Sequence, residues 1–202
     1  MLEPKNLPSG DVLVHAGDIT KKGSLRGVES FCHWIDDTNF EHKIVIAGNH
    51  DFCFQNDLQY QAEETLKNHA TYLKDSSITI DGVKFYGTPW QPWFHDWAFN
   101  VKGEDNLWEK FKHIDEDTDV LISHGPPYEI LDEVKNSKPD EDAHVGSTSL
   151  KKRIEDVQPE LTVFGHIHEA YGEIKTESSH FVNASVLDLG YNYVNDPVKV
   201  EI

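Results

Sequence analysis

The stretch that most constrains the fold is residues 44–51, where an apolar run ends abruptly in polar side chains. It reads Ile44-Val45-Ile46-Ala47-Gly48-Asn49-His50-Asp51. A short apolar run bounded by a turn predicts a buried strand, and α/β sheets bind ligands at the carboxyl ends of their strands. An amide, an imidazole and a carboxylate at one strand end suit metal or phosphate chemistry. A single stretch of this kind is, however, more often a polar turn that caps a core strand.

The same pattern recurs at three other predicted strands. The run over residues 11–16 is followed by Gly17-Asp18, the run over 119–123 by His124, and the run over 161–164 by Gly165-His166-Ile167-His168. One lone histidine is usually an ordinary core or surface residue, but four strand ends with metal-capable groups are difficult to attribute to chance. The alternation of an extended segment aims His166 and His168 to one side. Oxygen and nitrogen donors without thiolates favour Mn, Fe, Zn, Ni or Co.

The order of the predicted elements brings two of these strand ends together. Ser24 caps a predicted helix whose apolar residues, from Leu25 to Ile35, have helical spacing. A strand, a helix and a strand of these lengths predict a parallel βαβ unit, so Asp18 and Asn49 should be neighbours. Further elements are predicted as helices over 57–66, 106–114 and 147–157, an Asp81-Gly82 hairpin joining 77–80 to 83–86, strands over 171–175, 180–184 and 198–202, and a long loop over 128–146.

Composition limits the class of partner and the setting. The 202 residues include 36 acidic and 18 basic side chains, for a formal charge of −18. Proteins bind nucleic-acid duplexes through basic surfaces that contact the phosphates, so this charge argues against such a partner. No stretch is apolar enough to span a membrane, and no signal pattern opens the chain. The spacing of Cys32 and Cys53 favours reduced thiols over a disulfide. We therefore expect a single domain over residues 1–202, cytoplasmic and without a membrane or nucleic-acid partner.

The segment over residues 87–94 combines prolines with aromatic residues and predicts a rigid irregular loop. Trp90 and Trp93 are its candidate substrate-binding residues, because aromatic faces can line a ligand pocket. Packing of this loop on the surface is an equally weighted alternative.

Four ordered motifs carry a resemblance to a known superfamily. They are Gly17-Asp18, Gly48-Asn49-His50-Asp51, His124-Gly125-Pro126-Pro127 and Gly165-His166-Ile167-His168. Together they resemble motifs two to five of the calcineurin-like metallophosphoesterases, and the resemblance extends from about Leu7 to nearly the end of the chain. The 87–94 loop and the segment over 166–172 are similar to the small metallophosphoesterase-domain-containing subfamily.

This resemblance implies an α/β fold in which two mixed β-sheets pack as a sandwich flanked by helices (αββα). It also implies two divalent metals, and Asp18 would bridge them. Asn49, His124 and His166 would complete the second metal site, whereas His168 would serve the first. The resemblance further implies that His50 lies beside the phosphate and protonates the leaving oxygen, with Asp51 orienting its ring. Two adjacent cations can activate a hydroxide and hold the phosphoryl oxygens.

The first family motif, an Asp-x-His at the end of the first strand, is absent. Upstream of Asp18 the chain has only Asp11 and His15, four residues apart. The strand rise separates Asp11 from Asp18 by roughly 20 Å, so the first metal would keep only Asp18 and His168. We favour the explanation that the chain is N-terminally short and lacks the first strand, which would leave a sheet edge exposed. The alternative is a natural short form with one metal that is slow or inactive.

Three functions follow from these observations. The leading hypothesis is a metal-dependent phosphoesterase that hydrolyses a small phosphodiester, with a cyclic nucleotide as one candidate. The second is a nucleotide-binding or scaffold protein that has lost catalysis because the first metal site is incomplete. The third, a histidine-rich metal buffer, has the least support. The oligomeric state does not follow from the sequence.

Overall fold

The computed structural model describes residue 4 and residues 6–135 and 143–202. Its α-helices are α1 (Leu25–Asp36), α2 (Gln59–Leu66), α3 (Glu104–Phe111) and α4 (Thr148–Val157). Its strands are β1 (Val12–His15), β2 (His42–Val45), β3 (Thr71–Tyr72), β4 (Ser76–Ile80), β5 (Val83–Thr88), β6 (Gln91–Pro92), β7 (Asn100–Val101), β8 (Val120–Ser123), β9 (Glu133–Val134), β10 (Ala143–His144), β11 (Leu161–Phe164), β12 (Gly172–Lys175) and β13 (His180–Asn183). None of the helices in this part of the chain is long and apolar enough to cross a membrane.

The first sheet contains the predicted βαβ unit. Its three parallel strands lie in the order β1-β2-β3, with Val12 opposite His42. Helix α1 connects β1 to β2, and the Ser24 hydroxyl caps it by accepting a hydrogen bond from the Gly27 amide (3.1 Å). The parallel pairing and the cap are both as the sequence predicted, so β1 and β2 end at the same edge of the sheet.

The second sheet is mixed and has six strands, in the order β12-β13-β11-β8-β5-β4. The four central strands are parallel, and the two edge strands run antiparallel to their neighbours. The predicted hairpin joins β4 to β5 through Asp81 (φ 50°) and Gly82 (φ 91°). Two successive positive φ angles are what a tight two-residue hairpin turn requires.

The two sheets and four helices form the αββα sandwich that the resemblance implied, although only the second sheet is mixed and the three described strands of the first are all parallel. Alternate residues of each strand point to opposite faces, so Ile44 and Ile46 pack with Val120 and Ile122 between the sheets. On the outer face of the first sheet, α1 and α2 complete a second cluster. On the outer face of the second sheet, α3 and α4 cover a third cluster that includes Leu121. The layer order is therefore helices, small sheet, large sheet, helices.

Several predictions of local structure need correction. Residues 198–202 form no strand, although Val198 and Val200 still pack against the cluster between the sheets. Within the predicted 128–146 loop, β9 and β10 pair antiparallel, and residues 136–142 lie outside the described part. Of the predicted extended lead-in, residues 1–3 and 5 also lie outside it.

Strand β1 forms one edge of the first sheet, and all four of its residues are only partly buried. The neighbouring Ile44 and Val45 of β2 are fully buried. Cys32 and Cys53 are buried free thiols, as predicted.

Candidate metal centre

The ends of four parallel strands, two from each sheet, meet at one place. Asp18 follows β1, Asn49 follows β2, His124 follows β8 and His166 follows β11. The Asn49 Oδ1 atom lies 2.9 Å from His124 Nε2 and 2.9 Å from His166 Nδ1. Asp18 Oδ2 lies 3.5 Å from His124 Nε2. The structure therefore brings these four predicted ligands into one cluster.

Two glycines allow the strand ends to approach so closely. A Cβ atom on Gly48 would overlap the Asp18 carboxylate and would lie 2.5 Å from His124 Cε1. Gly17 has φ 98°, and a Cβ there would lie 2.5 Å from His124 Nδ1. The glycines before Asp18 and Asn49, visible in the sequence, thus reflect a steric requirement of the site.

The backbone is in the left-handed region at two of the four residues, Asp18 (φ 61°) and His166 (φ 69°). Side chains other than glycine adopt this conformation at a cost of order 1–3 kcal/mol, and such residues concentrate at functional sites. Because the strand ends turn sharply here, both side chains are directed back to the cluster instead of continuing along the strand.

Hydrogen bonds outside the cluster set which nitrogen of His124 faces it. His124 Nδ1 lies 2.7 Å from the Ala16 carbonyl oxygen, and a carbonyl can only accept, so Nδ1 carries a proton. The other nitrogen, Nε2, faces Asn49 and Asp18. A second hydrogen bond of this kind is how proteins orient a metal-ligating imidazole.

Burial and charge determine the protonation of the cluster. Burial alone would raise the pKa of Asp18, but the attraction and hydrogen bond of His124 outweigh it and hold that pKa well below its usual range. Burial opposes protonation of His124, yet Asp18 raises its pKa. Burial, reinforced by His124, lowers the pKa of His166 to about 3. The cluster therefore offers a carboxylate and a neutral imidazole at neutral pH.

The donor chemistry of this cluster fits one divalent cation. Ligand atoms that bind one ion at about 2.1 Å and at right angles lie about 3.0 Å apart, close to the two 2.9 Å separations around Asn49 Oδ1. No three His, Cys, Asp or Glu side chains among the described residues form a metal-holding group by themselves. A metal site here would therefore include the amide oxygen of Asn49, which lies 2.9 Å from one nitrogen of each imidazole. One carboxylate, one amide and two imidazoles suit the metals that the sequence indicated.

His168 lies beside this cluster. Its Nδ1 donates to the Asp188 carbonyl oxygen (2.9 Å), so Nε2 is the nitrogen that would bind a metal. After burial and His124, the nearby His168 ring also contributes to the lowered pKa of His166. His15 packs against Phe31 (4.9 Å between ring centroids) and Trp34 of α1. Since α1 covers the outer face of the first sheet, the only histidine upstream of Asp18 is directed to that layer.

His50 is held on three sides. Its Nδ1 donates to the Lys21 carbonyl oxygen (2.7 Å), Trp97 packs on its ring with 4.5 Å between centroids, and Tyr191 approaches at its Nε2. The His50 amide also donates to Asp18 Oδ1 (2.9 Å). The imidazole is therefore fixed beside the cluster with Nε2 directed away from the backbone.

The prediction that Asp51 orients the ring of His50 is wrong, because the Lys21 carbonyl does so. Asp51 is fully buried and accepts from the amides of Gly48 (2.8 Å), Ile19 (3.1 Å) and Thr20 (2.8 Å), and from the Thr20 hydroxyl (2.8 Å). Its carboxylate ties the turn after β1 to the turn after β2. Burial, with repulsion from Asp18, raises the pKa of Asp51 to about 6.

The two predicted substrate-binding tryptophans each have contacts within the fold. Among the described contacts, Trp90 donates to Asp75 Oδ2 (2.7 Å) and packs on Phe99, and Trp93 lies under Lys102. None of these described contacts joins either tryptophan to the cluster, and their role in substrate binding stays a prediction.

Trp97 and Tyr191, which the sequence analysis did not single out, are the aromatic residues that contact the His50 ring. Trp97 lies three residues beyond the 87–94 loop, and this closeness to an aromatic loop is the signal that could have marked it. Tyr191 lies in a polar loop after β13, and no local pattern marks it.

The comparisons with known proteins identify the family and agree with the fold. The sequence profile of the family described as Calcineurin-like phosphoesterase matches residues 2–170. Metallophosphoesterase domain-containing protein 1 of Homo sapiens is 38% identical over 222 aligned positions, which cover 99% of this chain and 67% of the relative. A UPF0046 protein of Caenorhabditis elegans is 32% identical over 95% of this chain and 68% of its own length.

Among solved structures, the phosphopantetheinyl hydrolase of Mycobacterium tuberculosis has a similar fold. The two superpose with a TM-score of 0.58 at 15% identity, over 90% of this chain and 82% of the other. At that identity the similarity concerns the fold alone.

Proposed function

Because the chain belongs to the calcineurin-like phosphoesterase family, whose members hydrolyse phosphoester bonds with divalent metals, we propose that it hydrolyses a small phosphodiester, with a cyclic nucleotide as the candidate substrate. The observation that carries this proposal is the position of Asn49 Oδ1 between His124 Nε2 and His166 Nδ1, each 2.9 Å away.

Asp18, Asn49, His124 and His166 would hold the divalent ion. When bound, such an ion supplies Lewis-acid stabilisation of phosphoryl charge and lowers the pKa of water. The residues of the chain do the positioning: Ala16 fixes the ring of His124, and the buried carboxylate of Asp51 fixes the turns that carry Asp18 and Asn49. Mn, Fe, Zn and Ni are the candidate metals on donor chemistry.

His50 is the proposed general acid. Its Nδ1 proton is engaged by the Lys21 carbonyl, so a second proton can only reside on Nε2, which faces the open side next to the cluster. A diester has a leaving oxygen that must be protonated as it departs, and a positioned imidazole can supply that proton. This requirement is the reason for proposing a diester over a phosphoanhydride or a free phosphate ligand.

A cyclic nucleotide is the proposed diester because aromatic rings border His50. Trp97 is partly exposed, and Tyr191 is 48% exposed. Both can contact a nucleobase, since every base presents a π face to an aromatic side chain.

The first test is hydrolysis of bis(p-nitrophenyl) phosphate with added Mn²⁺ by wild type, Asn49→Ala and His124→Ala. Loss of an outer-shell partner costs ~10–100-fold, so each ligand variant should lose at least ~100-fold in kcat/KM. His180→Ala, which removes a partly buried imidazole of β13 bonded to Glu173 (2.8 Å), serves as the control and should keep full activity. Equal rates in all four proteins would remove the proposal.

The substrate is tested separately with 3′,5′-cyclic AMP, 2′,3′-cyclic AMP and methyl p-nitrophenyl phosphate. After correction for the better p-nitrophenolate leaving group, a cyclic nucleotide should give a higher kcat/KM than methyl p-nitrophenyl phosphate. If the diester without a base is hydrolysed as well as the nucleotides, the phosphodiesterase proposal stands and its nucleotide part fails.

A nucleotide-binding or scaffold role without catalysis is the second candidate, and the ring contacts of His15 favour it. The described ring contacts of His15 are with Phe31 and Trp34 of α1, and not with His168, the candidate ligand of the first metal. Metal analysis distinguishes the two functions, because about two ions per chain would contradict a scaffold. Binding of cyclic AMP by calorimetry without turnover in Mn²⁺, Zn²⁺ or Ni²⁺ would support it.

A further inference from the structure

The loop after β13 brings a tyrosine to the candidate metal centre. Leu187 and Tyr193 form an antiparallel bridge, and Tyr191 lies near the tip of the loop between them. The Asp188 carboxylate accepts from the amides of Gly190 (2.8 Å) and Asn192 (2.8 Å). These bonds give the loop a defined shape without helix or strand.

The backbone of Tyr191 is in the left-handed region, with φ 59°. A bulky side chain rarely adopts this conformation, and it persists where the surrounding bonds over-determine it. Here the Tyr191 amide donates to the Asp188 carbonyl oxygen (2.9 Å), which also accepts from His168 Nδ1 (2.9 Å). The same carbonyl thus orients the tyrosine and a predicted metal-ligating histidine.

The ring of Tyr191 stands between two histidines of the centre. Its centroid lies 5.9 Å from that of His50 and 5.7 Å from that of His168, and both contacts are edge-on. Its hydroxyl lies 3.4 Å from His50 Nε2. Nδ1 of His50 carries the proton that is hydrogen-bonded to the Lys21 carbonyl oxygen. In the neutral ring, Nε2 therefore accepts and the Tyr191 hydroxyl donates.

We propose that Tyr191 is a substrate-contacting residue whose hydroxyl donates a hydrogen bond to a phosphoryl oxygen of the phosphoester bound at this centre. The long 3.4 Å contact with His50 is a weak bond that an anionic oxygen readily replaces, because hydrogen bonds to charged acceptors are about twice as strong. This inference rests on the proposed function, since it names a further contact of the same site.

A purely structural role does not account for the position of this hydroxyl. Tyr191 is 48% exposed, so the ring contributes little buried area, and the described hydrogen bonds of its hydroxyl go to His50 alone. A phenol that is exposed, held in a strained backbone and aimed at the open nitrogen of the proposed acid is placed to meet a ligand.

The test is calorimetric binding of inorganic phosphate to the Mn²⁺-loaded full chain, with Tyr191→Phe as the variant. This change keeps the ring and its packing and removes the hydroxyl. Tyr193→Phe is the matched control, because Tyr193 is an exposed tyrosine of the same loop whose hydroxyl bonds to Asp196. We expect phosphate to bind about 10-fold or more weakly to Tyr191→Phe and with wild-type affinity to Tyr193→Phe.

Hydrolysis of bis(p-nitrophenyl) phosphate gives an independent readout. If wild type is inactive yet Tyr191→Phe alone weakens phosphate binding, the proposed function fails and the contact stands. If wild type is active and Tyr191→Phe equals it in both phosphate affinity and kcat/KM, the contact is overturned and the function stands. Undetectable phosphate binding by wild type, or an equal loss in both tyrosine variants, would also overturn the contact.

Discussion

The side-chain oxygen of Asn49 lies 2.9 Å from Nε2 of His124, although the two residues are 75 positions apart and belong to different sheets. Asn49 follows β2 of the three-stranded sheet and His124 follows β8 of the six-stranded sheet. The candidate metal centre is therefore built across the sandwich, at the edge where the strands of both sheets end. Its integrity depends on the packing of one sheet on the other.

Removal of this amide should release the metal. Asn49→Ala is expected to weaken Mn²⁺ binding at least ~10-fold, because it deletes a ligand and leaves His124 and His166 without the oxygen between them. Isothermal titration of the metal-free protein with Mn²⁺ measures the change. Asn68→Ala, at an exposed position after α2, should bind as wild type does. Unchanged affinity in Asn49→Ala would exclude the amide from the ligand set.

Asp51 should prove to be a structural carboxylate. Asp51→Ala leaves three buried amides and the Thr20 hydroxyl without their acceptor, which should cost about 3 kcal/mol or more of unfolding free energy. Chemical denaturation followed by circular dichroism gives this value. Asp57→Ala, at an exposed position, should stay within about 0.5 kcal/mol of wild type. A stable Asp51→Ala protein that is merely inactive would point back to a catalytic role.

Trp93 and Trp97 should differ in their effect on activity. Trp97→Ala removes the ring that packs on His50 and should lower kcat/KM for bis(p-nitrophenyl) phosphate about 10-fold or more, since a displaced acid transfers its proton less well. Trp93→Ala removes a ring that is 47% exposed and lies under Lys102, and kcat/KM should not change. A larger loss of kcat/KM in Trp93→Ala than in Trp97→Ala would support the substrate-binding role predicted for Trp93.

Stability should depend on pH through His144. Its hydrogen bond to the buried carboxylate of Asp132 (2.6 Å) raises its pKa. Because the folded-state pKa exceeds the unfolded value of about 6.5, the charged ring stabilises the fold below that pH. The contribution is lost as pH rises through the folded-state pKa.

His144→Gln should therefore reduce the unfolding free energy more at about pH 5.5 than at about pH 8.5. Denaturant titrations of both proteins at the two values check this, with the exposed His113→Gln as the control for the loss of any histidine. A deficit that is equal at both pH values would contradict an ionic contribution from this pair.

Local patterns were sufficient for much of the fold. The apolar runs, the Ser24 cap and the Asp81-Gly82 turn each depend on residues close together in the chain, and each forms as predicted. The last predicted strand, over 198–202, fails because its alternating valines are satisfied by packing against the core without strand pairing. Alternation predicts which side chains are buried, but a strand also needs a partner with free backbone groups.

At the candidate site, the sequence by itself determined which strand ends carry metal-capable side chains, because an apolar run that ends in a donor residue is a local signal. Only the tertiary structure decided what each neighbour does. In the structure, the Lys21 carbonyl and not Asp51 orients the His50 ring, and Trp97 and Tyr191 contact that ring. Carbonyl directions and loop positions depend on contacts between residues far apart in the chain. No spacing rule encodes those contacts.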